Sequence, residues 1–148
     1  MNERQKESRE SAEQALRHRD WTCAFHYWGD LVEEGAPDAA EWLARIEGAA
    51  LRHAEGGDRE AQAVLGTIGT LRYTSGGSAD VDALCKGLRW LVAAVRQEPA
   101  DVAIDMLVFW YRAVRGAGVR DPEIEELLRE PLICERYRQL RGSAPLAD

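Results

Sequence analysis

The chain has 148 residues, 45% of them apolar and 30% charged, which excludes a disordered chain and suits one domain with its own core. Its formal charge of −7 excludes the basic stripe that a nucleic-acid backbone or an anionic lipid surface requires. No apolar run approaches the ~20 residues that cross a bilayer. No apolar stretch follows the charged start Met1 to Glu7, and the three cysteines (Cys23, Cys85, Cys134) are odd in number and far apart. A cytoplasmic protein with reduced thiols is therefore expected.

Alternating patterns are rare and Ala, Leu, Glu and Arg dominate, so the elements read as helices. Residues 3–18 are charged throughout, with Ala12, Ala15 and Leu16 as a thin apolar stripe. They predict a solvated first helix with a frayed start. Asp20 stands where it caps a second helix, Trp21 to about Glu34, whose Trp21, Ala24, Phe25, Trp28, Leu31 and Val32 recur at three- and four-residue steps. Gly35 ends it, and Pro37 or Asp38 opens a third helix to Ala54, with Ala39, Trp42, Leu43, Ile46, Ala49 and Ala50 on one face. After Gly56-Gly57, Asp58 caps a fourth to Tyr73, with Ala61, Val64, Leu65, Ile68 and Leu71 inward. Ser75-Gly76-Gly77-Ser78 reads as a loop. A fifth helix runs from about Val81 to Gln97 with Leu84, Leu88, Leu91 and Val95 on its core face. Pro99 opens a sixth that holds Val102, Ala103, Met106, Leu107, Phe109, Trp110 and Val114 and ends at Gly116 and Gly118. Asp121-Pro122 starts a shorter seventh with Ile124, Leu127 and Leu128 apolar, and Pro131 separates it from a last segment through Leu140. Residues 142–148 are expected to form a flexible tail. Short links between amphipathic helices make antiparallel neighbours, so the expected fold is all-α, a single domain of about seven or eight helices in stacked hairpins.

The punctuation has a further pattern. Tyr73-x-x-Gly76 leads through a polar loop to Asp82, then Gly87-x-x-Trp90 and Ala94, while upstream Gly57-Asp58-Arg59-Glu60-Ala61-Gln62 leads to Leu65-Gly66. This resembles the Sel1-like branch of the tetratricopeptide superfamily, whose repeat begins with an Ala-Gln…Leu-Gly helix, passes a Gly-containing loop and continues with an Ala-x-x-Trp…Ala-Ala helix. Partial matches follow Ala24-x-x-Tyr27, Val32, Gly35, Ala39 and Leu43, and start again at Ala103 and Leu107. The resemblance spans about residues 20–115, leaving 3–19 as a charged N-terminal helix and 121–141 as C-terminal capping helices. The chain departs from the pattern by about one extra helical turn between Leu65-Gly66 and Tyr73, and Leu43 to Leu65 is too short for a whole repeat. The resemblance implies a short right-handed Sel1/TPR-like solenoid whose role is to bind another protein.

Residues with catalytic or metal-binding chemistry are sparse. Cys23 and His26, three apart on a helix, share a face, but a metal site needs two more ligands and Cys85 and Cys134 lie in no ligand spacing. The expectation is a buried thiol and a half-exposed imidazole, with no metal and no cofactor. No nucleophile-elbow, phosphate-loop or zinc-protease motif occurs; Gly66-x-x-Gly69 falls within a helix and Gly76-Gly77 lacks a lysine. Glu33-Glu34 and Glu125-Glu126 read as solvated helix faces rather than acid–base pairs. An enzyme built round Cys23, His26 and nearby carboxylates is the least favoured reading.

Two features point to binding. Trp21, Phe25, Tyr27, Trp28 and Trp42 concentrate in the N-terminal half, and Phe109, Trp110 and Tyr111 are consecutive. At about 100° per residue three consecutive aromatics cannot all face one core, so one of them is expected at a surface or contact. The other feature is acidic: Asp30, Glu33, Glu34, Asp38, Glu41 and Glu47 surround the second turn with only Arg45 against them, a surface to which a basic partner is drawn. The partner-binding residues expected are therefore Asp30, Glu33, Glu34, Asp38, Glu41, Phe109, Trp110 and Tyr111. The function expected is a non-catalytic module for a single protein partner, as an immunity protein against a bacterial toxin or an effector adaptor or chaperone. The alternative is a self-associating structural protein whose spare aromatics form a homodimer seam.

Overall fold

The computed structural model describes residues 2–75 and 80–146. The described residues form eight helices and no strand: α1 (Glu3–Arg17), α2 (Trp21–Glu33), α3 (Ala39–Glu55), α4 (Arg59–Ser75), α5 (Val81–Gln97), α6 (Asp101–Gly116), α7 (Pro122–Leu128) and α8 (Pro131–Arg141). Ser75 is the last residue of α4, and the rest of the expected loop, Gly76-Gly77-Ser78, lies outside the described residues.

Carboxylate and amide caps start most of these helices, each satisfying an amide that the first turn leaves without a partner. Asn2 accepts from Gln5 N (2.8 Å), Asp20 from Cys23 N (3.1 Å), Asp58 from Ala61 N (3.1 Å) and Asp80 from Ala83 N (3.0 Å). Asp121 accepts from both Glu123 N and Ile124 N. Two starts differ from expectation. Pro37 does not open α3; its N-cap, Asp38, makes no side-chain cap bond because Arg9 holds its carboxylate. Pro99 does not open α6 either. It forces the residue before it out of the helical region, so Glu98 is extended (φ −147°, ψ 108°), Ala100 is extended as well, and the helix begins at Asp101. Pro131, by contrast, is the first residue of α8, where a missing N–H costs nothing. Gly35 takes a positive φ of 70° just beyond α2, which a side chain there would resist.

The chain divides into two compact units, Met1–Val64 and Leu65–Asp148. In the first, α1 packs on α2 and α2 on α3. Ala15, Ala24 and Ile46 meet at its centre with Leu16, Tyr27 and Trp28 against them. Small residues at the crossing let the helices come close while the rings fill the margins. Trp21 is fully buried, its indole N–H donating to Asp58 Oδ2 (3.0 Å) and its ring 5.2 Å from that of His53. Burial opposes ionisation of Asp58, but the Trp21 and Ala61 bonds outweigh it and hold the carboxyl below its ordinary value.

In the second unit α5 packs on α6, α7 on α8, α5 on α7 and α6 on α8. The expected core face of α5, Leu84, Leu88, Leu91 and Val95, is wholly buried, as are Ile124, Leu127 and Leu128 of α7. Near the start of this unit, Gly66 and Gly69 of α4 meet Gly87 of α5 so closely that a Cβ on Gly69 would lie 2.7 Å from Gly87 Cα. Beyond Gly142 the chain turns back: Pro145 is buried and Leu146 packs against the same core.

Candidate functional site

The acidic residues of the second turn are only partly free, because α1 reaches them. Arg9 donates to Asp38 through Nε (3.0 Å) and through a second, shorter bond from Nη2. Glu34 takes Ser8 Oγ at 3.4 Å and stands 3.7 Å from Arg4 Nε, while Gln5 Nε2 donates to the Glu34 carbonyl (3.0 Å). The bond from Arg9 holds the Asp38 carboxyl below the usual carboxylate range and raises the guanidinium. Arg45, the one base expected among these acids, pairs instead with Glu13 (2.6 Å) and lies over the Trp42 ring at 4.9 Å. Asp30 stands 3.9 Å from His26, and Glu33 and Glu41 are exposed. The tryptophans of this half are largely taken up by packing: Trp28, half-buried, donates its indole N–H to the Ala39 carbonyl (2.8 Å) and stacks on Phe25.

The acidity itself is confined. Fourteen carboxylates and eight basic side chains fall in Met1–Val64, against twelve and eleven in Leu65–Asp148, so nearly all of the net charge sits on the first unit. Between α1 and α2 runs a groove of about 480 Å³ whose lining includes Glu7, Glu10, His18, Asp20, Cys23 and Tyr27. Cys23 is exposed rather than buried, because its position on α2 faces this groove and not α3. A bond with the Asp20 carboxylate, then burial, then the charges of Asp20 and Glu60 push the thiol up. His26 is exposed too, and no group of three or more His, Cys, Asp or Glu side chains among the described residues is placed to hold a metal ion.

The three consecutive aromatics of α6 separate as helix geometry requires. Tyr111 is buried, Trp110 is half-buried, and Phe109 is 64% exposed. Phe109 stands edge-on to Trp110 (5.1 Å), which stands edge-on to Tyr73 (6.2 Å). About two turns upstream, Val102 is 80% exposed. A groove of about 530 Å³ runs beside this face of α6, lined by Val102, Asp105, Met106, Phe109, Trp110 and Arg112, and by Tyr137 and Arg141 of α8. Arg141 holds both oxygens of Asp105, Nε donating to Oδ1 (2.7 Å) and Nη2 to Oδ2 (2.5 Å), and Arg112 Nη2 donates to the Tyr137 hydroxyl (3.1 Å).

Tyr111 belongs to the interior. Its hydroxyl donates to Glu125 Oε2 (2.7 Å) and accepts from Asp121 N (2.9 Å), while Arg120 and Arg129 hold Glu125 Oε1 at 3.1 and 3.0 Å. Glu125 is therefore not part of a solvated face; it is buried and fully paired, because two arginines and a phenol replace its hydration. Arg89 binds the buried Asp121 carboxylate in turn (2.8 Å). The sequence carries no local sign of this network, since its members come from three helices and the link before α7.

Comparison with protein-family models, with curated proteins and with solved structures finds no match for this chain.

Proposed function

We propose that this protein is a non-catalytic protein–protein interaction module, a degenerate Sel1-like helical-repeat protein that engages one protein partner. The observation that carries this reading is the outward face of α6, where Val102 and Phe109 stand exposed beside an open groove. Large exposed apolar side chains grouped on one helix face are what a buried contact uses, and a lone exposed residue is not. The Sel1-like reading has its own support. Gly66 and Gly87, two of the positions that carry the resemblance, stand at a close helix approach.

The acidic first unit gives the partner a sign. A basic protein is drawn to it, with exposed Glu33 and Glu41 available, which suits a toxin-neutralising immunity protein or an effector adaptor or chaperone. No helix among the described residues is long and apolar enough to cross a membrane. The test is affinity capture of the tagged protein from its own cells, as wild type and as Phe109→Ser. One stoichiometric partner recovered with wild type and lost with the variant is the expected result, and its identity separates immunity from adaptor roles. Recovery of no partner, or equal recovery with the variant, counts against the α6 face.

A further inference from the structure

We infer that α1 is a strap that swings away about Arg19 and, while docked, closes the α2–α3 face to the basic partner proposed above. This rests on the acidic first unit as the seat of that partner and adds how the seat is closed. The side chains that α1 buries are Ser8, Ala12 and Ala15, none of them large, whereas α5 buries leucines and valines along its length. The hold of α1 is therefore mostly polar: Arg9 on Asp38, Ser8 and Gln5 on Glu34, and Glu13 on Arg45 of α3. That hold is imperfectly matched, because Arg9 Nη1 and Glu34 Oε2 are buried without a hydrogen-bond partner among the described residues. The hinge is strained as well. Arg19, between α1 and α2, has a φ of 55° and is the only residue other than glycine with a positive φ among the described residues. There its Cβ crowds the backbone. An element with little apolar burial opens before the rest of its unit.

What α1 leaves behind is fastened without it. The Trp21 indole donates to Asp58, Thr22 N donates to Glu60, the Trp28 indole donates to the Ala39 carbonyl, and Asp20 keeps its cap on α2. The face uncovered holds Ala24 and Ile46, with Tyr27 and Trp28 against them and the Glu34 and Asp38 carboxylates at the turn. The chain itself shows what fits there. It is a helix with small residues along one stripe and an arginine beside it, since Ala15 enters the cluster and Arg9 takes Asp38. Arg9 thus stands where a base of the partner would stand. An amphipathic basic helix offers the same groups, and it takes the face only when α1 is off it.

The experiment follows native-state amide exchange in the full chain and adds a fluorescent synthetic peptide of residues 2–18 as the probe of the uncovered face. The central amides of α1 are expected to exchange faster than those of α2 and α3. Arg19→Gly relieves the docked hinge and is expected to slow α1 exchange roughly tenfold. Arg19→Ala removes the charge but keeps the strain, and is expected to match wild type. The peptide is expected to bind Arg9→Ala most tightly, wild type less, and Arg19→Gly least. Central α1 amides that exchange only together with those of α2 and α3 overturn the strap. Arg19→Ala slowed as much as Arg19→Gly overturns the hinge, and an Arg9→Ala chain that binds no peptide overturns the closure. None of these readings needs a cellular partner, so a failed capture from cells strikes the proposed function alone.

Discussion

Gly69 of α4 and Gly87 of α5 touch through their backbones: a Cβ added to either would lie 2.7 to 2.8 Å from the other's Cα. Backbone atoms cannot yield as a flexible side chain does, so Gly87→Ala forces the helices apart. Overpacking of that kind costs about 1–3 kcal/mol, against the ~1 kcal/mol that alanine gains over glycine in a helix interior. Gly87→Ala is therefore expected to lower the urea midpoint. Gly48, inside α3 with nothing within 4 Å of an added Cβ, gives the opposite sign: Gly48→Ala is expected to raise stability by up to about 1 kcal/mol. Equal responses at the two positions would contradict the close crossing.

The buried pair Tyr111 and Glu125 makes stability depend on pH at both ends. The Tyr111 hydroxyl, and then the two arginines, hold Glu125 below its ordinary carboxyl value. A depressed acid contributes stability that is complete above the unfolded value and is lost as pH falls through the folded one. Burial, with the Glu125 charge beside it, outweighs the Asp121 amide and pushes Tyr111 up to about 12. A raised tyrosine contributes stability that is complete below its ordinary value of 10.0 and is lost as pH rises toward 12. Tyr111→Phe is expected to cost about 1–3 kcal/mol at neutral pH, because a buried carboxylate oxygen and the Asp121 amide lose a partner. The variant should also lose less stability than wild type between pH 10 and 12. Chemical unfolding across that range measures both effects.

Much of this fold was legible in the residues. The core faces of α5 and α7 follow from one-sided periodicity, and the caps at Asp20, Asp58 and Asp121 from residue type and position. That one of Phe109, Trp110 and Tyr111 faces outward also follows from helix geometry, but which one depends on where neighbouring helices lie. Long-range polar pairing was not legible. Arg9 and Asp38 are 29 residues apart and Tyr111 and Glu125 are 14 apart, and no local pattern marks either pair. For the same reason α1 looked like a solvated helix, although its Ser8, Ala12 and Ala15 are buried.

The Arg9–Asp38 contact makes a separate prediction about α1. With its thin stripe of Ala12 and Ala15, this helix has little apolar surface of its own, so its docking leans on polar bonds to the second turn. Arg9→Ala is expected to speed amide hydrogen exchange across Glu3–Arg17 while leaving α6 unchanged. Acid should act in the same direction. Asp38 is held low by Arg9, and Glu13 is held low by Arg45, so both contributions are complete above the ordinary carboxylate range and lost as pH falls through the depressed values. Exchange of α1 that is insensitive to Arg9→Ala would show that the helix is held by its apolar stripe alone.

Cys23 decides most directly between a binding module and an enzyme. Cys85 is buried and Cys134 donates to the Leu128 carbonyl, so Cys23 is the exposed thiol. Exposure alone does not make a nucleophile; the thiolate does, and the Asp20 carboxylate together with Glu60 opposes its formation. Alkylation of Cys23 by iodoacetamide at pH 8, followed by mass spectrometry, is expected to be slower than that of free cysteine. Asp20→Asn keeps a side chain that caps α2 equally well and removes the charge beside the sulfur. The variant should therefore be alkylated faster than wild type with its helix content unchanged. A wild-type Cys23 that outpaces free cysteine would mean that the groove between α1 and α2 activates the thiol, and the non-catalytic reading would then fall.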